Sequence, residues 1–152
     1  MHVRPLSQNE MESGSQFTDR LHDMDFPIGF AGWIFAQDVG EWRFYVATPL
    51  FFVDGATATT DLFLRFFDRF GEECGMDFSS LQIGPSEADM IAALRKTYRV
   101  SGSSVEIENS TFRQGDQQIV IRAAQLYHSE RDSGRERIKA ARRRFVEKLE
   151  AA

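Results

Sequence analysis

The sequence is poor in cysteine and contains no long apolar run. Cys74 is the single cysteine among 152 residues, so the chain can form no internal disulfide and offers no cysteine cluster for zinc or an iron–sulfur centre. The uninterrupted apolar runs, such as the one from Pro49 to Val53, are far shorter than the roughly 20 residues that a membrane-spanning helix needs. We therefore expect a protein of a reducing compartment, by default the cytoplasm, with no membrane partner.

Sequence motifs that carry known chemistry are also missing. The chain has no G-x-S-x-G elbow, no G-x-G-x-x-G turn, no phosphate-binding P-loop and no H-E-x-x-H, which are the usual signatures of hydrolases, nucleotide-binding domains and zinc proteases. Its three histidines lie far apart, at His2, His22 and His128. We therefore predict no catalytic residue, no cofactor and no metal ligand, and we favour a protein that is not an enzyme.

Charge is distributed unevenly along the chain. The net charge is −5, but residues 131–152 contain eight of the 18 basic residues and four of the 23 acidic ones. The tail therefore carries a formal charge of +4 and the rest of the chain −9. A polyanion such as DNA would be repelled by the body of the protein and attracted only to the tail.

The most strongly patterned stretch runs from Ala31 to Val53 and contains both tryptophans. Large apolar residues alternate with other side chains on each side of a turn at residues 38–40, which is typical of a β-hairpin. Pro49 lacks the backbone N–H that a strand partner needs, so the segment that follows is either a bulged continuation or an edge strand.

The remaining pattern alternates between helix and strand. A phenylalanine-rich face predicts a helix after Gly55, and residues 81–83, 86–98, 105–127 and 135–149 predict a short strand, a helix, a second hairpin and a last helix. With 42% hydrophobic residues and 14 phenylalanines, the chain can bury the core of one ordinary domain. We predict an α+β fold: a single two-layer domain whose mainly antiparallel sheet, with two β-hairpins, has its helices packed on one face.

This pattern also suggests how the chain is divided. Residues 1–16 are polar and predict a flexible N-terminal arm, and residues 17–130 form the α+β domain. Residues 131–152 predict a basic amphipathic helix that either packs on the domain or extends from it.

Our leading functional hypothesis is a non-enzymatic protein-interaction module of the adaptor, chaperone, inhibitor or immunity type. It would bind a protein partner, or form a homodimer or other oligomer, through its aromatic-rich sheet, because tyrosine and tryptophan are enriched at interfaces. Core packing is the competing explanation for the same aromatic residues. The candidate partner-binding residues are Trp33, Trp42, Arg43, Tyr45 and Phe51.

The alternative hypothesis is a nucleic-acid-binding accessory protein that uses the basic C-terminal helix. Its candidate contacts are Arg135, Lys139, Arg142, Arg143 and Arg144. The same helix could instead pack on the acidic body through its apolar stripe, which would leave the arginines solvated or paired.

A third hypothesis is an enzyme that acts through Glu106 and Glu108. These residues are separated by one position on a predicted strand, so both carboxylates would project from one face. Paired carboxylates can serve acid–base chemistry, although every half-exposed strand shows the same alternation.

Overall fold

A five-stranded mixed sheet forms the centre of the fold in the computed structural model, which describes residues 2–131 and 133–152. The strands are β1 Phe30–Ala36, β2 Glu41–Thr48, β3 Leu81–Pro85, β4 Val105–Gln114 and β5 Gln117–Ser129. Their order across the sheet is β3-β2-β1-β5-β4. All neighbouring pairs are antiparallel except β2 and β3. Both predicted hairpins are therefore present, and the expectation of a mainly antiparallel sheet is confirmed.

Five α-helices among the described residues accompany the sheet and confirm the α+β fold class. They are α1 Gln8–Asp23, α2 Leu50–Asp54, α3 Ala56–Phe70, α4 Asp89–Thr97 and α5 Arg135–Ala151. Within residues 2–131 and 133–152, no helix combines the length and the apolar character needed to cross a bilayer.

One face of the sheet, called the first face here, holds the larger core. The helices α1, α2, α3 and α5 all contribute buried side chains to it. Phe17 of α1 lies at its centre, with ring centroids 5.4 Å from Phe66 and 5.9 Å from Phe44 in edge-to-face geometry. Such aromatic pairs add about 1 kcal/mol each to the free energy gained from burial, so this cluster ties three helices to the hairpin of β1 and β2.

The opposite face, called the second face, carries a smaller core with a single helix. Ile91 and Leu94 of α4 pack there with Ile34, Ile107 and Leu126 of the sheet. Four helices thus follow the expected arrangement on one side, and α4 is the exception. Because β1 is central and nearly every residue in it is buried, the sheet needs some cover on both faces.

The N-terminal residues differ from the expected flexible arm. Residues 8–16 form the first half of α1, so the prediction of an arm was wrong for them. The hydroxyl of Ser7 accepts a hydrogen bond from the Glu10 amide (3.1 Å), and the Glu10 carboxylate accepts one from the Ser7 amide (2.9 Å). This capping box starts the helix, and the polar residues that suggested disorder occupy its solvent side.

The segment after Pro49 is also helical. Residues Leu50–Asp54 form α2, which corrects the expectation of a continued or edge strand. Pro49 has φ of −70° at the N-cap of this helix, and proline is well tolerated where a helix begins because its missing N–H would be unpaired there anyway. Phe51 therefore lies on a short helix and not in the sheet.

Candidate functional site

Two of the predicted partner-binding residues, Trp33 and Trp42, are buried in the first-face core. Only 3% and 7% of their surfaces are exposed. The Trp33 indole N–H donates to the Glu10 carbonyl (2.9 Å), and the Trp42 indole N–H donates to the Arg4 carbonyl (2.8 Å). Both indoles therefore anchor the N-terminal segment of their own chain to the sheet, which is the core-packing explanation.

The other three predicted residues lie apart from the indoles and from one another. Tyr45 packs against the second-face core and stays partly exposed; its burial raises the pKa of the phenol. Arg43, on the same strand, donates to the Ser79 carbonyl (3.4 Å) and lies 3.6 Å from the Glu41 carboxylate. Phe51 is half-buried on α2. The five residues thus form no single surface.

The second face is incompletely covered. The nine residues of α4 shield its centre, and six apolar side chains, five around α4 and one on it, remain partly exposed. We call these six residues the second-face rim; they are Tyr45, Met90, Tyr98, Val105, Phe112 and Ile119. Tyr98 and Phe112 contact each other edge to face, with centroids 6.3 Å apart. Sequence periodicity could place Tyr45 on this face but could not show that a single short helix covers it.

The basic C-terminal helix packs on the body of its own chain. Its apolar stripe is buried in the first-face core. Arg142 forms an ion pair with Asp54, and Arg144 and Lys148 both approach Asp25, at 3.4 and 2.8 Å. The hydrogen bond from Lys148 is the main reason that the pKa of Asp25 is lowered. Part of the positive charge predicted to meet nucleic acid is therefore used to hold α5 in place.

Three predicted nucleic-acid contacts remain available on α5. Arg135, Lys139 and Arg143 form no ion pair with a carboxylate in the described part of the chain. A second group of basic residues, Arg95 and Lys96, lies in the last turn of α4 on the second face, whereas α5 packs on the first face. The two groups consequently lie on opposite sides of the sheet and form no continuous cationic surface.

The carboxylates of Glu106 and Glu108 do share a face, as expected from the strand. Both are exposed and line an open cleft of about 560 Å³ beneath the N-terminal segment, together with Arg4 and Arg122. The guanidinium of Arg4 is already bound to Glu10 at 2.7 and 2.8 Å, and this bond is the main reason that the pKa of Glu10 is lowered to about 2. No contact among the described residues joins the two glutamates to a general acid or to a nucleophile.

The described residues contain neither a metal-binding cluster nor an activated cysteine. Within residues 2–131 and 133–152 no three side chains of histidine, cysteine, aspartate or glutamate are placed to hold an ion. Cys74 is buried, and that burial raises the pKa of its thiol, which disfavours the reactive thiolate.

One titratable residue that sequence reasoning did not single out is His128, near the end of β5. It is only 3% exposed, and its ring centroid lies 4.7 Å from that of His22 on α1. Burial, reinforced by the nearby His22, lowers the pKa of His128 to about 4. The imidazole is therefore neutral near pH 7, and its approach to Glu130 at 3.8 Å is not an ion pair there. The sequence indicates the burial of His128 only by its position directly after the apolar residues Leu126 and Tyr127.

Comparison of this chain with protein-family models, with curated proteins and with solved structures found no match. Its function has to be inferred from its own surfaces and cavities.

Proposed function

We propose that the protein is a non-enzymatic protein-interaction module that receives a protein partner on the second face of its sheet. One observation supports this proposal above all. In the described part of the chain a single nine-residue helix covers that face of a five-stranded sheet, and the six apolar residues of the second-face rim stay partly exposed. Partly exposed apolar groups that surround a rigid element are typical of surfaces that bind another protein.

The chemistry of the rim suits a protein partner. It combines three aromatic rings with methionine and branched aliphatic side chains, and aromatic residues and methionine are enriched at protein interfaces. Tyr45 projects from a strand that is paired on both sides, with β1 and with β3. A side chain held on so rigid a support loses little conformational entropy on binding.

Charge favours an acidic partner over a second copy of this chain. Arg43 on β2 and the residues Lys96 and Arg99 near the end of α4 all belong to this side of the sheet. A second copy would bring the same cations to a two-fold interface, whereas an acidic protein would compensate them.

A binding measurement with two matched variants tests the proposal. The partner is first isolated from native lysate by cross-linking to the purified chain, and its affinity is then measured by calorimetry. Tyr45→Glu should weaken binding at least about tenfold, because it places a charge in an apolar contact and repels an acidic partner. Phe52→Glu on α2, where 64% of the phenylalanine is exposed, should leave the affinity unchanged.

The outcomes separate the proposal from its competitors. Equal losses for Tyr45→Glu and Phe52→Glu, or cross-links confined to the first-face helices, would contradict a partner on the second face. A dimer of the purified chain that Tyr45→Glu dissociates would replace the acidic partner with a second copy.

The nucleic-acid alternative is distinguished by a parallel experiment. Mobility shifts with single- and double-stranded DNA and RNA at low salt would be measured for the parent chain and for a variant with Arg135→Gln, Lys139→Gln and Arg143→Gln. These three side chains lack ion pairs with described carboxylates, so their replacement removes phosphate contacts without loosening α5. A salt-dependent shift that this variant abolishes would favour nucleic acid, and no shift would remove the alternative.

A further inference from the structure

We propose that a cavity on the flank of α4 binds the phosphate group of a small phosphorylated ligand. The cavity has a volume of about 310 Å³. Among the described residues its wall includes four basic side chains, Arg95, Lys96, Arg99 and Arg131, and one acidic side chain, Glu87. The cavity shares Lys96 and Arg99 with the cations that an acidic partner would meet, but none of the six apolar residues of the second-face rim lines it. The site can therefore be tested on the chain without a partner.

Arg95 is built into the wall of the cavity. Its Nε donates to the Glu130 carbonyl (2.8 Å), and one of its terminal nitrogens donates to the Ser86 carbonyl (2.9 Å). The side chain therefore connects the segment before α4 with the segment after β5. A guanidinium fixed in this way loses little freedom when it contacts an anion.

The other three cations bring positive charge that no carboxylate among the described residues pairs with. Lys96, Arg99 and Arg131 form no ion pair with any carboxylate among residues 2–131 and 133–152. Arg99 instead donates to the carbonyls of Arg95 and Tyr98 at the end of α4. Like charges gathered around one cavity repel each other, and an anion placed among them would relieve that repulsion.

An independent observation points to a ligand with hydrogen-bond acceptors. Ser86 lines the same cavity and is completely buried, yet its hydroxyl has no hydrogen-bond partner in the part of the chain that the structure describes. Buried polar groups without partners are rare because each one costs free energy. A phosphate oxygen in the cavity could accept the hydrogen bond that the Ser86 hydroxyl lacks.

Phosphate fits this set of groups better than a carboxylate or a polymer does. Guanidinium groups bind phosphate through paired hydrogen bonds, and a phosphate dianion can engage several cations at once. The volume lies at the lower end of the ~300–1,000 Å³ range of small-molecule pockets, which suits a phosphomonoester better than a nucleic-acid strand.

Titration of the purified chain with inorganic phosphate and with methyl phosphate, at constant ionic strength, tests the site. Binding would be followed by phosphorus NMR line width, and we expect both probes to bind with dissociation constants of about 1 mM or lower. The double variant Arg99→Gln, Arg131→Gln should bind both at least about tenfold more weakly, because it removes charged hydrogen-bond donors. Arg135→Gln, Arg143→Gln makes the same charge change on the opposite side of the sheet and should have no effect.

Ser86→Ala separates a ligand-binding role from a structural one. Removing an unpaired buried hydroxyl should leave the melting temperature of the phosphate-free chain unchanged or raise it, and should weaken phosphate binding. The proposal is overturned if either probe fails to bind at a concentration about ten times the expected dissociation constant. It is also overturned if the α5 control variant weakens binding as much as the cavity variant does, or if Ser86→Ala leaves the affinity for phosphate unchanged. These measurements use the chain without its partner, so their failure leaves the proposed protein interaction standing.

Discussion

Single residues determine how closely α1 approaches the sheet. Gly14 is buried in the middle of this helix, although glycine weakens a helix interior by about 1 kcal/mol relative to alanine. Close packing against the sheet explains why a glycine occupies this position. A β-carbon at this position would lie 2.6 Å from the Trp33 indole nitrogen and 2.7 Å from the Tyr127 ring. The glycine thus permits the contact that brings the Glu10 carbonyl within reach of the Trp33 indole.

Replacement of this glycine measures the value of that contact. Gly14→Ala should lower the free energy of unfolding by about 1–3 kcal/mol, because the two rings must move out of a packed core. Urea denaturation followed by tryptophan fluorescence would measure the change. Gln16→Ala, an exposed position on the same helix, should be neutral or slightly stabilising; a similar loss for both variants would show that packing against Trp33 is not the cause.

At the scale of elements, α1 depends on its N-terminal cap and on the indoles that hold the segment before it. Ser7, Glu10 and Arg4 form one network in which Glu10 closes the capping box and binds the Arg4 guanidinium. The Arg4 carbonyl in turn accepts the indole N–H of Trp42. The cap therefore stabilises both the start of a helix and its attachment to the sheet.

Loss of the Glu10 carboxylate should weaken this attachment. Glu10→Ala should lower the free energy of unfolding by about 1–2 kcal/mol, because it removes the capping bond and the partner of Arg4. Glu12→Ala, which loses only an exposed hydrogen bond to Gln8 at 3.2 Å, should cost a few tenths of a kcal/mol at most. Equal losses in urea denaturation would contradict a special role for the cap.

At the scale of the whole molecule, the stability of the fold should depend on pH through His128. Its pKa in the folded chain is about 4, below the ordinary value of 6.5, so the unfolded chain binds the proton first as the pH falls. The free energy of unfolding should therefore decrease between about pH 6.5 and pH 4, by at most about 3 kcal/mol. The cluster that sets this shift includes His22 on α1, Glu130 after β5 and Arg95 on α4.

A substitution checks this dependence directly. His128→Gln should flatten the change in unfolding free energy between pH 6.5 and pH 4.5 measured by urea titration. Below that range Glu10, whose pKa is about 2 against an ordinary 4.5, should lose its own stabilising contribution in both proteins as the pH falls toward 2. A slope above pH 4.5 that is the same in both proteins would assign the dependence to other groups.

The elements could largely be predicted from the sequence because their signals are local. Alternation around Trp33 and Trp42 identified the first hairpin, and the phenylalanine spacing identified the buried face of α3. The two misassigned segments, residues 8–16 and Leu50–Asp54, were judged by their polarity and by Pro49. In both places a residue that favours the start of a helix decided the structure: Ser7 caps α1, and Pro49 precedes α2.

Tertiary structure alone decided which residues of the candidate sites meet. The indoles of Trp33 and Trp42 find their acceptors 23 and 38 positions away in the chain, and His22 meets His128 only because α1 crosses the end of β5. The cavity on α4 likewise unites Ser86, Arg99 and Arg131. Periodicity reports how neighbouring residues share a face, whereas the strand order and the placement of α4 depend on burial summed over the whole chain. The sequence by itself thus determined the elements and their apolar faces, and packing decided that the tryptophans serve the core and that the second face stays partly open.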